Sequence, residues 1–233
     1  MSRILGIIPA RAGSKRIPGK NLKNLAGKPL IQYSIEAALE SKLLTDIVIT
    51  SDSLEILNGA YFNGQPIYTI LRPSEMAEDT SLAIEYVLHS LDFMTEHYDK
   101  QYEWVVIIQP SSPFTKGFDI DQAIDLLLNS HAECAASVKE IEHDLHPSKF
   151  KLIQGNRLVS LFEKEDGKMA AHQLEKVFVR NGSVYISNVA IVRQGTLLTE
   201  DCVPYIMPAS RSLDINTETD FLFAEFLIQQ LKR

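Results

Sequence analysis

Residues Arg3–Asn21, RILGIIPARAGSKRIPGKN, join a short apolar run to a basic segment that contains glycine. The opening apolar residues predict a short buried strand. The residues from Pro9 onward hold four cations and two glycines, and they predict a loop. Pro29 then suits the first position of a helix, because apolar side chains recur behind it at helical spacing. A strand, a glycine-containing basic loop and a helix, in that order, favour the binding of phosphate groups.

Strand-like and helix-like segments alternate through roughly the first 140 residues. Further strands are predicted at Asp46–Thr50, Pro66–Ile70, Trp104–Ile108 and Cys134–Val138. One helix is expected to be capped by Asp79 or Thr80, with Ile84, Val87, Leu88 and Leu91 inward. Another follows Gly117, with Ile120, Ile124, Leu127 and Leu128 inward. This order predicts an α/β fold: a three-layer α/β/α sandwich with a mostly parallel, Rossmann-like sheet, whose ligands bind at the carboxyl ends of the strands.

The alternation breaks between about residues 140 and 180, where the sequence is polar and irregular. We interpret this section as an insertion within a single domain that covers residues 1–233. Order returns with a predicted strand at Val184–Ser187 and a final helix at Thr217–Leu231. The expected inward face of that helix is Ala224, Leu227, Ile228 and Leu231.

Composition excludes several classes of protein. The 233 residues carry a net charge of −7, which argues against general nucleic-acid binding. Two cysteines without metal-ligand spacing argue against disulfides and thiolate zinc sites. No apolar run approaches the roughly 20 residues that span a bilayer. We therefore expect a cytoplasmic protein with neither nucleic acid nor membrane as a partner.

The basic loop carries the chemistry. Arg11, Lys15, Arg16 and Lys20 repel one another, which favours a bound polyanion over a merely solvated loop. The loop is not a Walker A motif, because five residues separate Gly13 from the following Gly-Lys and no hydroxyl residue follows the lysine. We therefore predict a phosphate-binding loop that is not of the Walker A type.

The loop resembles the signature of the acylneuraminate cytidylyltransferase family, ARxxSKxxPxKN, from Ala10 to Asn21. Three further stretches resemble the family in the same order: LRPSE at Leu71–Glu75 with Asp79 and Thr80, QPSSP at Gln109–Pro113, and SLDINT at Ser212–Thr217 with Asp220. Weaker similarity covers His146, Pro147 and Lys149, and then Asn181, Gly182 and Tyr185. The resemblance spans nearly the whole chain.

This resemblance implies a nucleotidyltransferase that activates a nonulosonic, sialic-type acid. The anomeric hydroxyl attacks the α-phosphate of CTP, and CMP-sugar and pyrophosphate result, with Mg²⁺ as cofactor. The residues implied in CTP binding are Ala10, Arg11, Ser14, Lys15, Lys20, Asn21 and Arg72. Arg11 and Lys15 are the implied catalytic cations, together with Asp214. Arg72 would lie at the base, although an ion pair with Glu75 at the surface remains an alternative for it.

The resemblance also implies a sugar site. Gln109 and Ser111 follow the strongest predicted strand and would contact the sugar acid. The related family that acts on the eight-carbon sugar Kdo carries an acid soon after this glutamine, where this chain has serines, which favours the nonulosonate branch. The irregular section resembles a dimerisation region, so a homodimer is expected in which Lys149 and Arg180 reach the neighbour's active site and grip the sugar carboxylate.

Asp214 and Asn216 are the expected Mg²⁺ ligands. The family usually has Asp-x-Asp at this place, whereas this chain has Asp-Ile-Asn. A carboxylate and an amide oxygen both suit a hard cation. Asn216 is alternatively a helix cap for the final helix. The second DxD stretch, Asp119 to Asp121, is interpreted as acids that complement a helix dipole.

Three other functions stay open at this point. The first is the same chemistry on legionaminic or pseudaminic acid. The second is a nucleotide-sugar-using glycosyltransferase, which the basic loop opposes because a nucleoside diphosphate needs fewer cations. The third is a non-catalytic nucleotide-binding protein.

Overall fold

The computed structural model describes residues 2–59, 64, 66–162 and 175–231. The strands of this part of the chain are β1 Ile4–Pro9, β2 Asn24–Leu25, β3 Lys28–Pro29, β4 Asp46–Ser51, β5 Tyr68–Leu71, β6 Trp104–Ile108, β7 Cys134–Glu140, β8 Lys151–Gln154, β9 Arg157–Ser160, β10 Phe178–Asn188 and β11 Cys202–Ile206. Its α-helices are α1 Leu30–Glu40, α2 Leu54–Gly59, α3 Ala83–Tyr98, α4 Gly117–Leu128, α5 Val189–Arg193 and α6 Glu218–Leu231.

Seven strands form the central sheet, in the order β11-β7-β10-β6-β1-β4-β5. β1 pairs in parallel with β4 and β6, and the pairs β4–β5 and β7–β11 are also parallel. β10 alone among these seven is antiparallel to its neighbours, β6 and β7. The predicted mostly parallel, Rossmann-like sheet is therefore confirmed.

Helices cover both faces of the sheet. Successive side chains of β1 therefore point into two different cores. Ile4 and Ile8 belong to the core that packs against α1 and α4. Leu5 and Ile7 belong to the core that packs against α3 and α5. These four side chains are at most 3% exposed. The result is the expected three-layer α/β/α arrangement. No described helix combines the length and the apolar character needed to cross a bilayer.

The structure corrects several local expectations. Neither Asp79 nor Thr80 caps α3, since the helix begins at Ala83 after Leu82 and has no side-chain cap. The inward assignments of Leu128 and Leu231 are wrong, because these side chains are 42% and 79% exposed. Phe221, not anticipated, is buried in α6 instead.

The irregular section is more ordered than its sequence indicates. It contains two short 3₁₀ turns, His143–Leu145 and Pro147–Lys149, and a hairpin of β8 and β9. Residues 163–174, including His172, lie outside the described residues. β10 begins at Phe178, six residues before the expected strand, and its first residues pair with the end of β7. The early part of β10 has only two apolar residues, the exposed Phe178 and Val179, before the polar Arg180 and Asn181, which is too short a run to predict a strand.

Candidate active site

The carboxyl ends of four parallel strands meet at one edge of the sheet and supply the candidate site. β1 leads into the basic loop, residues 10–23, and β4, β5 and β6 lead directly to Asp52, Arg72 and Gln109. A cavity of about 530 Å³ opens at this edge. It gathers nine residues predicted from the sequence: Arg11, Ser14, Lys15, Lys20, Asn21, Arg72, Gln109, Ser111 and Asn216.

The basic loop is held by hydrogen bonds to the carboxyl end of β4 and the residue after it. The Ala12 N–H donates to Asp52 Oδ1 at 2.9 Å, and Ile17 anchors the loop in a small core of its own with no exposed surface. Ala10 is also fully buried, and its N–H donates to the Thr50 carbonyl oxygen at 2.9 Å. Ala10 is not among the residues that line the cavity and its N–H is already bonded, so this residue positions the loop, and its expected contact with CTP stays a prediction.

Asn21 turns the loop back on itself. Its side chain is 6% exposed, and Nδ2 donates to the Arg11 carbonyl oxygen at 2.8 Å. The Ser14 N–H donates to the Ala12 carbonyl oxygen at 2.9 Å. These bonds fix the backbone from which the Arg11 side chain projects, so the loop is organised before any ligand arrives.

Asp79 holds the two outermost cations of the site. Arg11 Nη1 donates to Asp79 Oδ1 at 2.9 Å, and the Lys15 ammonium contacts the other carboxylate oxygen. Hydrogen bonds from Lys15 and, to a smaller extent, from Arg11 lower the pKa of the Asp79 carboxyl. Asp79, expected to be a helix cap, thus belongs to the mouth of the cavity, 68 residues from Arg11 in sequence.

Lys20 links the basic loop to the segment that carries Asp214. Its Nζ donates to the Ile215 carbonyl oxygen at 3.0 Å. Burial lowers the pKa of the Lys20 ammonium, and the nearby Asp214 carboxylate partly opposes this shift. The Ile215 N–H in turn donates to the Ser111 carbonyl oxygen at 2.8 Å, so Lys20 and Ser111 are tied together through the residue that separates Asp214 from Asn216.

Arg72 is a buried cation, and part of its guanidinium has no hydrogen-bond partner among the described residues. Its side chain is 5% exposed, and neither Nε nor Nη1 has a hydrogen-bond partner among the described residues. The guanidinium carbon lies 5.3 Å from the centroid of the Tyr86 ring. Burial lowers the pKa of Arg72, and the Asp52 carboxylate opposes this effect. The alternative of a surface ion pair with Glu75 does not fit this burial.

A second cavity, of about 380 Å³, adjoins the first through Ala83, Tyr86 and Gln109. Burial raises the pKa of Tyr86, and the neighbouring Gln109 side chain partly opposes this shift. Arg180 lines this cavity beside Gln109 of its own chain. Arg180 therefore has a place at a cavity of its own chain, while its expected role at a neighbour's site stays a prediction.

Lys149 is not part of either cavity. Its ammonium lies 3.0 Å from Asp144 Oδ1 and 2.9 Å from His143 Nδ1, both in the irregular section. The described chain therefore does not bring Lys149 to its own site residues. A role for Lys149 at a neighbour's site stays a prediction.

Asp214 and Asn216, the expected metal ligands, fit a Mg²⁺ ion that takes most of its ligands from phosphate groups and water. Asp214 Oδ1 is buried without a hydrogen-bond partner among the described residues, while Oδ2 accepts from Asn216 Nδ2 at 2.7 Å. No cluster of three or more acidic, histidine or cysteine residues occurs in the described ranges. Mg²⁺ in nucleotide enzymes is commonly held by one or two carboxylates, phosphates and water.

Asn216 does not cap α6. Thr217 Oγ1 accepts from the Asp220 N–H at 3.2 Å, and Asp220 Oδ2 accepts from the Thr217 N–H at 2.8 Å. This reciprocal pair is a capping box, which frees the Asn216 side chain for Asp214. The cap interpretation of Asn216 is wrong.

Asp119 has a structural role, as expected. It is fully buried and accepts from Arg211 and from the Tyr205 hydroxyl. It also accepts from the Lys116 N–H at the start of α4. Asp121 bonds to Ser41 and to the backbone N–H of Lys42.

A bulge in β10 shapes the floor beside Asp214. Asn181 is buried, and its side chain bonds to Ser137 and to Ser212, just before the metal segment. Gly182 has φ +75°, and a Cβ there would contact the Asp214 carboxylate at 3.4 Å. Glycine therefore suits this position both for its backbone conformation and for the close approach.

Three functional candidates were missed by sequence reasoning: Asp52, Asp79 and Tyr86. Asp52 directly follows β4, so its place at the carboxyl edge was available from the strand prediction. Tyr86 lies on α3, where helical periodicity does not separate a core residue from a cavity residue. For Asp79, the cap interpretation competed with the true contact.

A mostly parallel sheet of this order, with a basic loop after its first strand, defines the class of α/β nucleotidyltransferases. The sequence model described as "Cytidylyltransferase" matches residues 5–195, and the chain belongs to this family.

Curated relatives extend over nearly the whole chain. It is 36% identical over 232 residues to the CMP-N,N'-diacetyllegionaminic acid synthase of Legionella pneumophila, covering 97% of each. It is 32% identical to the N-acylneuraminate cytidylyltransferase of Escherichia coli, covering 99% of this chain but 53% of that protein, so it spans about half of that relative.

The fold recurs in a solved structure of a CMP:2-keto-3-deoxy-manno-octonic acid synthetase. The TM-score is 0.74 at 16% identity, covering 99% of this chain and 100% of that one.

Proposed function

We propose that this protein transfers the cytidylyl group of CTP to a nonulosonic acid and releases pyrophosphate. The observation that carries the proposal is a single edge cavity with loop cations at one side and the buried, unpaired Arg72 at another. Such a cavity suits a ligand with several phosphates and a polar base. The names of the curated relatives support a nonulosonic acid as the second substrate.

The chain's own residues bind and orient the nucleotide. Arg11, Lys15 and Lys20 present cations to the triphosphate, and the fixed loop backbone keeps them at the place where charge develops on the leaving pyrophosphate. Mg²⁺, when bound at Asp214, would neutralise phosphate charge. Bare N–H donors on Arg72 suit cytosine, whose O2 and N3 are both acceptors, better than uracil, whose N3 carries a proton.

The second cavity would receive the sugar acid. Arg180 is the cation available for its carboxylate, and Gln109 lies where the two cavities join. The anomeric oxygen forms a bond to the α-phosphorus while the bond from that phosphorus to the β-phosphate oxygen breaks, and the hydroxyl proton passes to solvent. Positioning of the two substrates supplies most of the catalysis in this scheme.

A homodimer belongs to the proposal as well. The hairpin β8–β9 exposes Leu152, Ile153 and Leu158, of which Ile153 is 78% exposed. An apolar hairpin of this kind favours burial against a second copy of the chain. Lys149 lies directly before the hairpin, so dimerisation would bring it towards the neighbour.

The test is pyrophosphate release from CTP, UTP and ATP with a panel of nonulosonic acids and Mg²⁺. Pyrophosphate release is expected with CTP, and only when a nonulosonic acid is present. Lys15→Ala should lower kcat at least about tenfold, or 1.4 kcal/mol of barrier, without a change in melting temperature. Lys42→Ala, at an exposed lysine outside both cavities, is the matched control. CTP binding without turnover on any nonulosonic acid would contradict the proposal.

A further inference from the structure

Residues 73–81, between β5 and α3, lie at the mouth of the nucleotide cavity, and we call them the mouth loop. The residues of this loop that line the cavity are Met76, Ala77, Glu78, Asp79 and Ser81. No residue of the mouth loop is buried. Packing of side chains therefore does little to hold the loop in place.

The polar contacts of the mouth loop are local, apart from those of Asp79. The Ser81 hydroxyl donates to the Glu75 carbonyl oxygen at 2.7 Å, which closes the loop on itself. In the described part of the chain, the hydrogen bonds and ion pairs that fasten this loop to other segments are those of Asp79 with Arg11 and Lys15. One carboxylate thus holds the mouth loop to the basic loop.

Asp79 engages two of the cations that the proposed function assigns to the triphosphate. Arg11 Nη1 donates to Asp79 Oδ1 at 2.9 Å, and the Lys15 ammonium contacts Oδ2. A carboxylate shared between two cations imitates an anionic phosphate group held by the same donors. Its charge also cancels half of their combined positive charge and repels an approaching phosphate.

We propose that Asp79 is a built-in competitor of CTP: it occupies the phosphate-binding cations of the ligand-free protein, and the nucleotide displaces it and so unfastens the mouth loop. This rests on the proposed function, because it concerns how the same site is kept closed and opened. The Asp79 and Lys15 side chains are 39% and 84% exposed, so their pairing is weak and exchanges readily. A triphosphate, with several charges, replaces a single carboxylate.

Titration calorimetry of Asp79→Asn with CTP, in the absence of any sugar acid, tests the competition. Asparagine keeps the size of the side chain and removes its charge. We expect the Kd for CTP to fall about three- to tenfold, because the cations of the variant are no longer occupied before the nucleotide arrives. Inorganic pyrophosphate, which has phosphates but no base, should bind more tightly by a similar factor.

Glu78→Gln is the matched control. It removes the same charge from the neighbouring residue of the mouth loop, which also lines the cavity, but Glu78 has no cationic partner among the described residues. Its effect on the Kd for CTP should stay below about twofold. Hydrogen exchange of the ligand-free proteins gives a second readout: the amides of residues 74–81 should exchange faster in Asp79→Asn than in wild type, and not faster in Glu78→Gln.

The outcomes are separable. Equal or weaker binding of CTP by folded Asp79→Asn overturns the proposal, since the carboxylate would then be neutral to the nucleotide or would orient the cations for it. An equal gain in Glu78→Gln overturns it too, because general charge would explain the effect. Asp79→Ser, which also lacks the charge, repeats the test should Asp79→Asn fail to fold. Wild-type protein that does not bind CTP at all contradicts the proposed function itself.

Discussion

Arg72→Met should make the protein more stable and should weaken its binding of CTP. Arg72 is 5% exposed, and Nε and Nη1 are buried without partners. A buried donor left unpaired costs about 1–3 kcal/mol, and methionine fills a similar volume without one. Loss of the contact with the Tyr86 ring costs about 1 kcal/mol in return. We expect the free energy of unfolding to rise by about 2 kcal/mol.

The affinity for CTP should change in the opposite direction. A hydrogen bond from a charged group contributes about 1.5–3 kcal/mol, so the variant should bind CTP at least about tenfold more weakly. Equilibrium unfolding in urea and titration calorimetry with CTP measure the two effects.

Arg3→Met is the matched control for Arg72→Met. Its guanidinium lies 5.4 Å from the Tyr102 ring centroid but is 43% exposed, so neither gain in stability nor loss of CTP is expected. A less stable Arg72→Met with unchanged CTP affinity would refute the reasoning.

Three other predictions follow from the site. CTP affinity should already fall at an alkaline pH that lies below the ordinary lysine pKa of 10.5, because burial lowers the pKa of Lys20 and the protonated ammonium binds phosphate. Lys20→Arg should flatten this pH profile of CTP affinity in titration calorimetry. An unchanged profile would contradict the assignment of Lys20 to phosphate binding. Asp214→Asn should nearly abolish turnover, whereas Asn216→Asp should lower the Mg²⁺ concentration for half-maximal rate; full activity of Asp214→Asn would exclude the metal site. Sedimentation at micromolar concentration should give twice the chain mass, and Ile153→Glu should give monomers; a wild-type monomer with normal turnover would exclude a site completed by its neighbour.

The central layers could be predicted because their signals are local. β1 and β6 are runs of buried apolar residues, and α1, α3 and α4 show helical periodicity against them. The carboxyl edge followed from the parallel order, and the nine site residues that line one cavity there were implied by the family resemblance.

The remaining features depend on contacts between distant residues. Asp79 meets Arg11 across 68 positions, and no local pattern separates that contact from a helix cap. The early part of β10 is a strand because its backbone pairs with β7, a contact that the short apolar pair Phe178 and Val179 does not reveal. The register of β10 against β7 shifts between Arg180 and Tyr185, an irregularity that no local pattern predicts, and Arg180 lines a cavity of its own chain.

The transfer of the cytidylyl group is tested most directly by ³¹P NMR of a reaction containing CTP, Mg²⁺ and a nonulosonic acid. The account predicts that the α-phosphorus signal of CTP is replaced by that of a CMP diester, with one inorganic pyrophosphate for each diester formed. Mass spectrometry should find the sugar acid joined to CMP. Inorganic phosphate with CDP, or an unchanged CTP spectrum with every acid, would contradict the account.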